Sequence, residues 1–212
     1  MGEVRRVLIV HGLWLTGAET VLLRRRLRAQ GFESTVFRYR SRSGSSDTLL
    51  ARLEREAAAL GGPFHAIGHS LGGVLLLRLL ERCPVLPLAR CVLLGAPVCG
   101  SRAARHLATL SFGPALMGPL AIAELAVVRN ASWRGSTEIG VIAGTLSVGL
   151  GRLIADLPVP NDGVVAVEET RVDGAADRIE LRVSHSGMLA SAAVARAAAR
   201  FLATGVFGAH DG

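Results

Sequence analysis

Lysine is missing from this chain of 212 residues: all 24 basic side chains are arginine, set against 17 acidic ones. The formal charge of +7 and the sequence pI of about 11.0 follow from that excess. Arginine without lysine, alongside abundant alanine, is the mark of GC-rich coding, so charge alone says little about partners. The densest basic run, Arg24-Arg25-Arg26-Leu27-Arg28, comes with no nucleic-acid-binding motif and reads as the wet face of a helix. No nucleic-acid partner is expected. Aromatic residues are scarce at 4%, while half the chain is hydrophobic, so the core must be aliphatic. Cysteine is scarce too. Cys83, Cys91 and Cys99 are odd in number and lack C-x-x-C spacing, which argues against a disulfide framework and a zinc site. No repeated acidic spacing suggests another metal, and no cofactor is expected. A reducing compartment fits these thiols, and no leader of charged, apolar and small-residue regions is visible, so a cytoplasmic location is expected. An unbroken apolar run is also lacking. Residues 111–128 come nearest, but Gly113, Pro114, Gly118, Pro119 and Glu124 interrupt them. A stable membrane span is therefore not expected, and a buried helix or a flap over a pocket is.

What is present is a regular alternation. Residues 4–10 read as a buried strand, since Val7-Leu8-Ile9-Val10 is the continuous apolar run that parallel sheets use. Residues 19–30 have helical spacing through Val21, Leu22 and Leu27, stopped by Gly31. A strand over 32–39 and a helix over 47–60, capped by Ser46 or Asp47, come next. A strand at 64–67, a helix to about residue 83 and a strand at 90–94 follow. Helices over 101–110 and 117–128, strands over 139–145 and 178–184, and a final helix over 188–202 complete the pattern, with a loose tail after Gly205. The reading is a single α/β domain over 1–212, of about six mostly parallel strands with helices on both faces and a small lid-like insert at 98–135.

In open α/β sheets, sites collect at the carboxyl ends of strands. Ile67-Gly68-His69-Ser70-Leu71-Gly72-Gly73 joins a strand to a helix, the context in which G-x-S-x-G forms a nucleophile elbow. Ser70 would sit on a strained turn, with Gly68 and Gly72 small because chain passes close on both sides. A hydroxyl nucleophile needs a base, and the base needs a carboxylate. Asn161-Asp162-Gly163-Val164-Val165 and Ser184-His185-Ser186 each lie just past a strand, in the chain order serine, acid, histidine. The proposed roles are Ser70 nucleophile, His185 general base then acid, and Asp162 orienting carboxylate. Rival acids are Asp156, Asp173 and Asp177, while Glu168 and Glu169 read as solvent-facing. The oxyanion needs two amides. Leu71, after the nucleophile, supplies one, and the His11-Gly12-Leu13-Trp14 turn supplies the other through Leu13, with Gly12 giving the tight turn. His69 should point back into the fold. Trp14 and Met188 are substrate-binding candidates, and Leu13, Leu15, Phe112, Met117 and Trp133 are further candidates for an acyl pocket.

These motifs together resemble the α/β-hydrolase superfamily, of the small bacterial serine esterase and lipase type. Gly68-His69-Ser70-Leu71-Gly72-Gly73 is a specific form of that elbow, Asp162-Gly163-Val164-Val165 resembles the acid loop of bacterial triacylglycerol lipases, and Leu94-Gly95-Ala96-Pro97 resembles their post-strand segment. The chain starts almost directly at the His-Gly strand, without the extra hairpin of larger members. The resemblance implies the minimal α/β-hydrolase fold and a small-molecule ester or lipid substrate cleaved through an acyl-enzyme. A thioesterase, a specific lipid deacylase or an idle binding protein of the same fold are the alternatives.

Overall fold

The computed structural model describes residues 4–42, 44–149 and 156–208. Six strands form one sheet in the order β2-β1-β3-β4-β5-β6, every neighbouring pair parallel. They are β1 (Arg6–Val10), β2 (Glu33–Phe37), β3 (Phe64–His69), β4 (Leu88–Leu94), β5 (Glu138–Gly144) and β6 (Asp177–Leu181). Between them run α1 (Val21–Ala29), α2 (Ser46–Ala58), α3 (Leu71–Arg82), α4 (Arg102–Thr109), α5 (Gly113–Met117) and α6 (Pro119–Leu125), and α7 (Ala192–Thr204) closes the chain.

The pleat explains why these strands read as unbroken apolar runs. Val7 and Ile9 face one layer with Ile67, Val92 and Leu94, packed under Leu23 and Leu27 of α1 and Ala195, Ala198 and Leu202 of α7. Leu8 and Val10 face the other layer with Phe64, Ala66, Cys91 and Leu93, under Leu53 of α2 and Leu75 and Leu79 of α3. Both faces of each central strand are dry, so neither parity faces solvent. The helix after β1 and the helix after β3 lie on opposite faces although the strands are neighbours. Their two loops therefore diverge, and a crevice opens above the carboxyl ends of β1 and β3, at the switch point of the sheet.

Several elements differ from the sequence expectation. The helix expected at 117–128 spans only 119–125, because Met117 ends the preceding short helix, Gly118 turns the chain at φ 80° and Pro119 starts the new one. The expected helix from residue 188 begins at Ala192, where the Ser191 hydroxyl accepts the Val194 amide, and the turn before it is 3-10. Ser45, not Ser46 or Asp47, caps α2. On α1 it is Leu23 that is buried with Leu27, while Val21 and Leu22 face solvent. The tail is held as far as Phe207, which stacks on Phe201 at 4.8 Å and donates its amide to Asp177 Oδ2; residues 209–212, with His210, lie outside the described residues.

Candidate active site

Ser70 stands between β3 and α3 with φ 54° and ψ −123°, a conformation that non-glycine residues seldom adopt. Such a residue costs about 1–3 kcal/mol and persists only where the surroundings enforce it. Here the Ser70 amide is tied to Leu94 O at 2.9 Å, and glycines clear the space. A Cβ on Gly72 would overlap the Val10 carbonyl, and one on Gly68 the Gly73 backbone. A Cβ on Gly73 would come within 2.5 Å of the Ala96 Cβ. The repeated glycine is thus a close-approach requirement, on both sides of the serine.

The acid loop after β5 is wound tightly around Asp162. One carboxylate oxygen, Oδ1, accepts the amides of Val164 (3.0 Å) and Val165 (2.7 Å), which leaves Oδ2 aimed at His185 Nδ1, 2.7 Å away. The backbone repeats the pairing, since the His185 amide donates to Asp162 O at 2.9 Å. Asn161 supports the loop by accepting from the Gly163 amide and the Ser147 hydroxyl. Two glycines make the acid's seat, for a Cβ on Gly95 would meet Asp162 Oδ2 at 2.9 Å and one on Gly144 would meet Asp162 Cβ at 2.7 Å. The rival acids lie elsewhere. Asp173 pairs with Arg134, Asp177 receives the amides of Arg178 and Phe207, and Asp156 is exposed.

Ser70 and His185 are both about 8% accessible and line the same cavity. Among the described residues no hydrogen bond closes between the Ser70 hydroxyl and the imidazole; such contacts are often long in unliganded enzymes and tighten when substrate binds. The His69 side chain does lie inside the fold, against the His185 ring at 4.8 Å between centroids.

At the turn after β1, the expected source of one oxyanion amide, the left-handed residue is Trp14, at φ 61°, not Gly12. Gly12 is needed for a different reason, because a Cβ there would press on His69 Nδ1 and Ser70 Cβ, both at 3.1 Å. Trp14 is held in its strained state by the Ser41 hydroxyl, which accepts its amide, and by an indole N–H bond to Leu116 O. Behind the turn, Tyr39 stacks on His11 at 4.3 Å and donates to the His11 carbonyl. Burial lowers the His11 pKa. Among the described residues the amides of Leu13 and Leu71 have no internal acceptor, so both remain available.

The cavity above Ser70 has a volume of about 350 Å³. Leu13, Trp14, Leu15 and Met117 line it, along with Ala103, Ala104 and Leu107 of α4 and Leu125 of α6. Met188 does not. It is fully buried beneath the acid, its thioether lying in the space above Gly95 and Gly144, so its expected substrate-binding role is corrected to support of the Asp162 seat. Trp133 is a core residue bonded to Thr137 O, and Phe112 projects to solvent at 59% exposure. Glu168 is exposed as expected, but Glu169 is buried. Its carboxylate accepts the amides of Arg102 (2.6 Å) and Ala166 (2.8 Å), joining the acid loop to the start of α4, and burial raises its pKa.

An all-parallel sheet with an elbow serine and a buried carboxylate–imidazole pair at its carboxyl edge defines the α/β-hydrolase class. The chain belongs to the alpha/beta hydrolase family, whose model matches residues 7–210. Its fold is similar to the mature lipase BlEst2 of Bacillus licheniformis, with 16% identity over 89% of this chain and 88% of the other, at a TM-score of 0.69. It is also similar to the pyrethroid hydrolase PytH, with 14% identity over 95% and 99% of the two chains, at a TM-score of 0.65. The phospholipase PlaB of Legionella pneumophila aligns at 17% identity over 96% of this chain and 57% of that one, at a TM-score of 0.65. Identities this low speak to the fold alone. The comparison with curated proteins gives no significant match. No helix among the described residues is long and apolar enough to cross a membrane.

Proposed function

We propose that this protein is a serine esterase that cleaves carboxylic esters with short to medium acyl chains through an acyl-enzyme. The observation that carries the reading is the buried 2.7 Å contact of His185 Nδ1 with Asp162 Oδ2, at a cavity that Ser70 and His185 both line. Ser70 Oγ attacks the carbonyl carbon while its proton passes to His185 Nε2. Asp162 keeps Nδ1 protonated and stabilises the imidazolium without taking the proton. The carbonyl oxygen becomes an oxyanion facing the free amides of Leu13 and Leu71, where preorganised donors stabilise the developing charge. The tetrahedral intermediate collapses, His185 returns the proton to the departing alkoxide, and an alcohol leaves. Water then repeats the sequence on the acyl-enzyme and releases the acid.

The cavity supports a neutral, apolar acyl group. Among the described residues no carboxylate or guanidinium lines it, and its volume lies near the lower end of the roughly 300–1,000 Å³ common to small-molecule sites. In this reading α4 to α6 act as a small lid-like wall, and Trp14, 49% exposed at the mouth, meets the acyl chain as it enters. Labelling by a fluorophosphonate probe, abolished in Ser70→Ala, is the expected result. A folded wild-type protein that takes no label would overturn the reading. A p-nitrophenyl ester series should peak at short to medium chains, and a peak at long chains would overturn the size assignment.

A further inference from the structure

His69 precedes the nucleophile and takes no step in the reaction above, yet several observations converge on it. Its Nε2 lies 3.1 Å from the carbonyl oxygen of His185. A carbonyl only accepts, so Nε2 carries the proton. Its other nitrogen, Nδ1, is buried with no hydrogen-bond partner among the described residues, and it lies over Gly12, whose Cβ, were there one, would come within 3.1 Å of it. The imidazole therefore fills the gap between the oxyanion turn after β1 and the loop that carries His185. Burial, with His185 beside it, pushes its pKa down to about 3, so it stays neutral across the working range. A second cation beside the imidazolium that forms during catalysis would oppose it, and a neutral ring does not.

We propose that His69 is a positioning residue: by donating from Nε2 to the His185 carbonyl and bearing on Gly12, it sets the base at its distance from the nucleophile and the oxyanion turn. The proposal rests on the reading of Ser70, His185 and Asp162 as a triad. Asp162 grips the His185 ring at 2.7 Å and its amide at 2.9 Å. Both grips come from one residue, and they fix the tautomer and hold the ring against the acid. His69 supplies a separate contact, from the nucleophile's own strand to the His185 carbonyl. The serine and the base are then referenced to one rigid element, as catalysis by near-attack geometry requires.

Two substitutions separate positioning from packing. His69→Gln keeps an amide N–H near the place of the imidazole Nε2–H, and His69→Leu fills similar space without a donor. In Ser70-dependent ester hydrolysis, His69→Leu should lower kcat by roughly 10–100-fold with KM within about threefold, and His69→Gln should recover to within about fivefold of wild type. Wild-type turnover in a folded His69→Leu, or equal loss in both variants, would overturn the proposal. A second measurement needs neither turnover nor a folded leucine variant. In ¹⁵N-histidine spectra of the wild type, His69 should be a neutral Nε2–H tautomer near pH 6, and the His185 ring signals should be retained in His69→Gln. A protonated or Nδ1–H His69 would refute the contact. A wild type with the expected spectrum but no Ser70-dependent turnover would remove the esterase reading and leave the contact standing.

Discussion

Acidification should unfold this protein well before its surface carboxylates are fully protonated, because two histidines are folded in as neutral rings. Burial lowers the pKa of His69 to about 3 and that of His65 to about 4, the second also opposed by Arg90. Both folded values lie below the ordinary 6.5. The native state thus binds fewer protons than the unfolded chain between those limits, and the stability these rings contribute is present above pH 6.5 and lost as pH falls. At a pH of about 4.5 the unfolded chain gains about 2–3 kcal/mol from each ring, roughly 5 kcal/mol for the pair. That is a large part of the roughly 5–15 kcal/mol that holds a typical domain together. Burial of His11 acts in the same direction. Glu169 opposes them: its folded pKa is raised, so its contribution is fully present below its unfolded pKa and is lost as pH rises.

Urea melts followed by far-UV circular dichroism at several pH values between about 7.5 and 4.5 read the effect directly, since the midpoint moves with stability while the slope stays fixed. His65 faces Phe32 edge-on and its Nδ1 has no partner among the described residues, so His65→Gln removes a titrating ring without touching the catalytic edge. That variant should lose about half as much stability over the same interval as the wild type. Stability that is flat from pH 7.5 to 4.5, or a loss unchanged by His65→Gln, would refute the reasoning.

Ser70→Gly should stabilise the fold by about 1–2 kcal/mol relative to Ser70→Ala while both lack hydrolytic activity, because glycine relaxes the φ of 54° and alanine does not; equal melting temperatures would count against backbone strain at the elbow. Gly72→Ala should fail to accumulate as soluble protein or melt far lower, as its methyl would drive into the Val10 carbonyl; a near-native thermal melt would contradict that close approach. Ala104→Trp, on the α4 wall of the cavity, should shift the ester-chain optimum to shorter acyl groups and leave acetate-ester kcat within about threefold; an unchanged chain-length profile would place the acyl group elsewhere. Glu169→Ala should cost about 2–4 kcal/mol in urea melts, since it strands the amides of Arg102 and Ala166; a loss below about 1 kcal/mol would show that those amides find other partners.

How far the sequence could be read depended on whether a feature was local. The strands were legible because a parallel sheet dry on both faces demands continuous apolar runs, and Val7-Leu8-Ile9-Val10 and Cys91-Val92-Leu93-Leu94 are such runs. Ser70, Asp162 and His185 were legible as a set because each follows a strand, and the fold brings all strand ends to one edge. Met188, a substrate-binding candidate just past the last strand, lies instead in a 3-10 turn with its side chain buried beneath the acid. A signal was available in Gly95 and Gly144, two strand-end residues with no side chain to fill the space above them. Glu169 reaches back to the Ala166 amide as the third residue of its turn, a local pattern, but its second partner, the Arg102 amide, is 67 residues away in the chain.

The same residues that assemble the candidate active site are those that weaken the fold there. Ser70 and Trp14 are the two non-glycine residues at positive φ among the described residues, and they stand side by side at the ends of β3 and β1. His69 adds a buried nitrogen without a partner among the described residues, and Asp162 is sunk to 1% exposure with its carboxylate met by two amides and a histidine. None of these is a stable choice for a strand-to-helix turn taken alone, and each is enforced by packing that begins one layer below, in the aliphatic core. Among the described residues the left-handed backbone strain of non-glycine residues therefore lies at the carboxyl edge of the sheet, the same edge to which the switch point assigns the crevice. A fold shaped for stability alone would relax the turn with glycine at position 70 and fill the histidine sites with apolar rings; retention of serine and imidazole at these positions is the physical argument for chemistry at this edge.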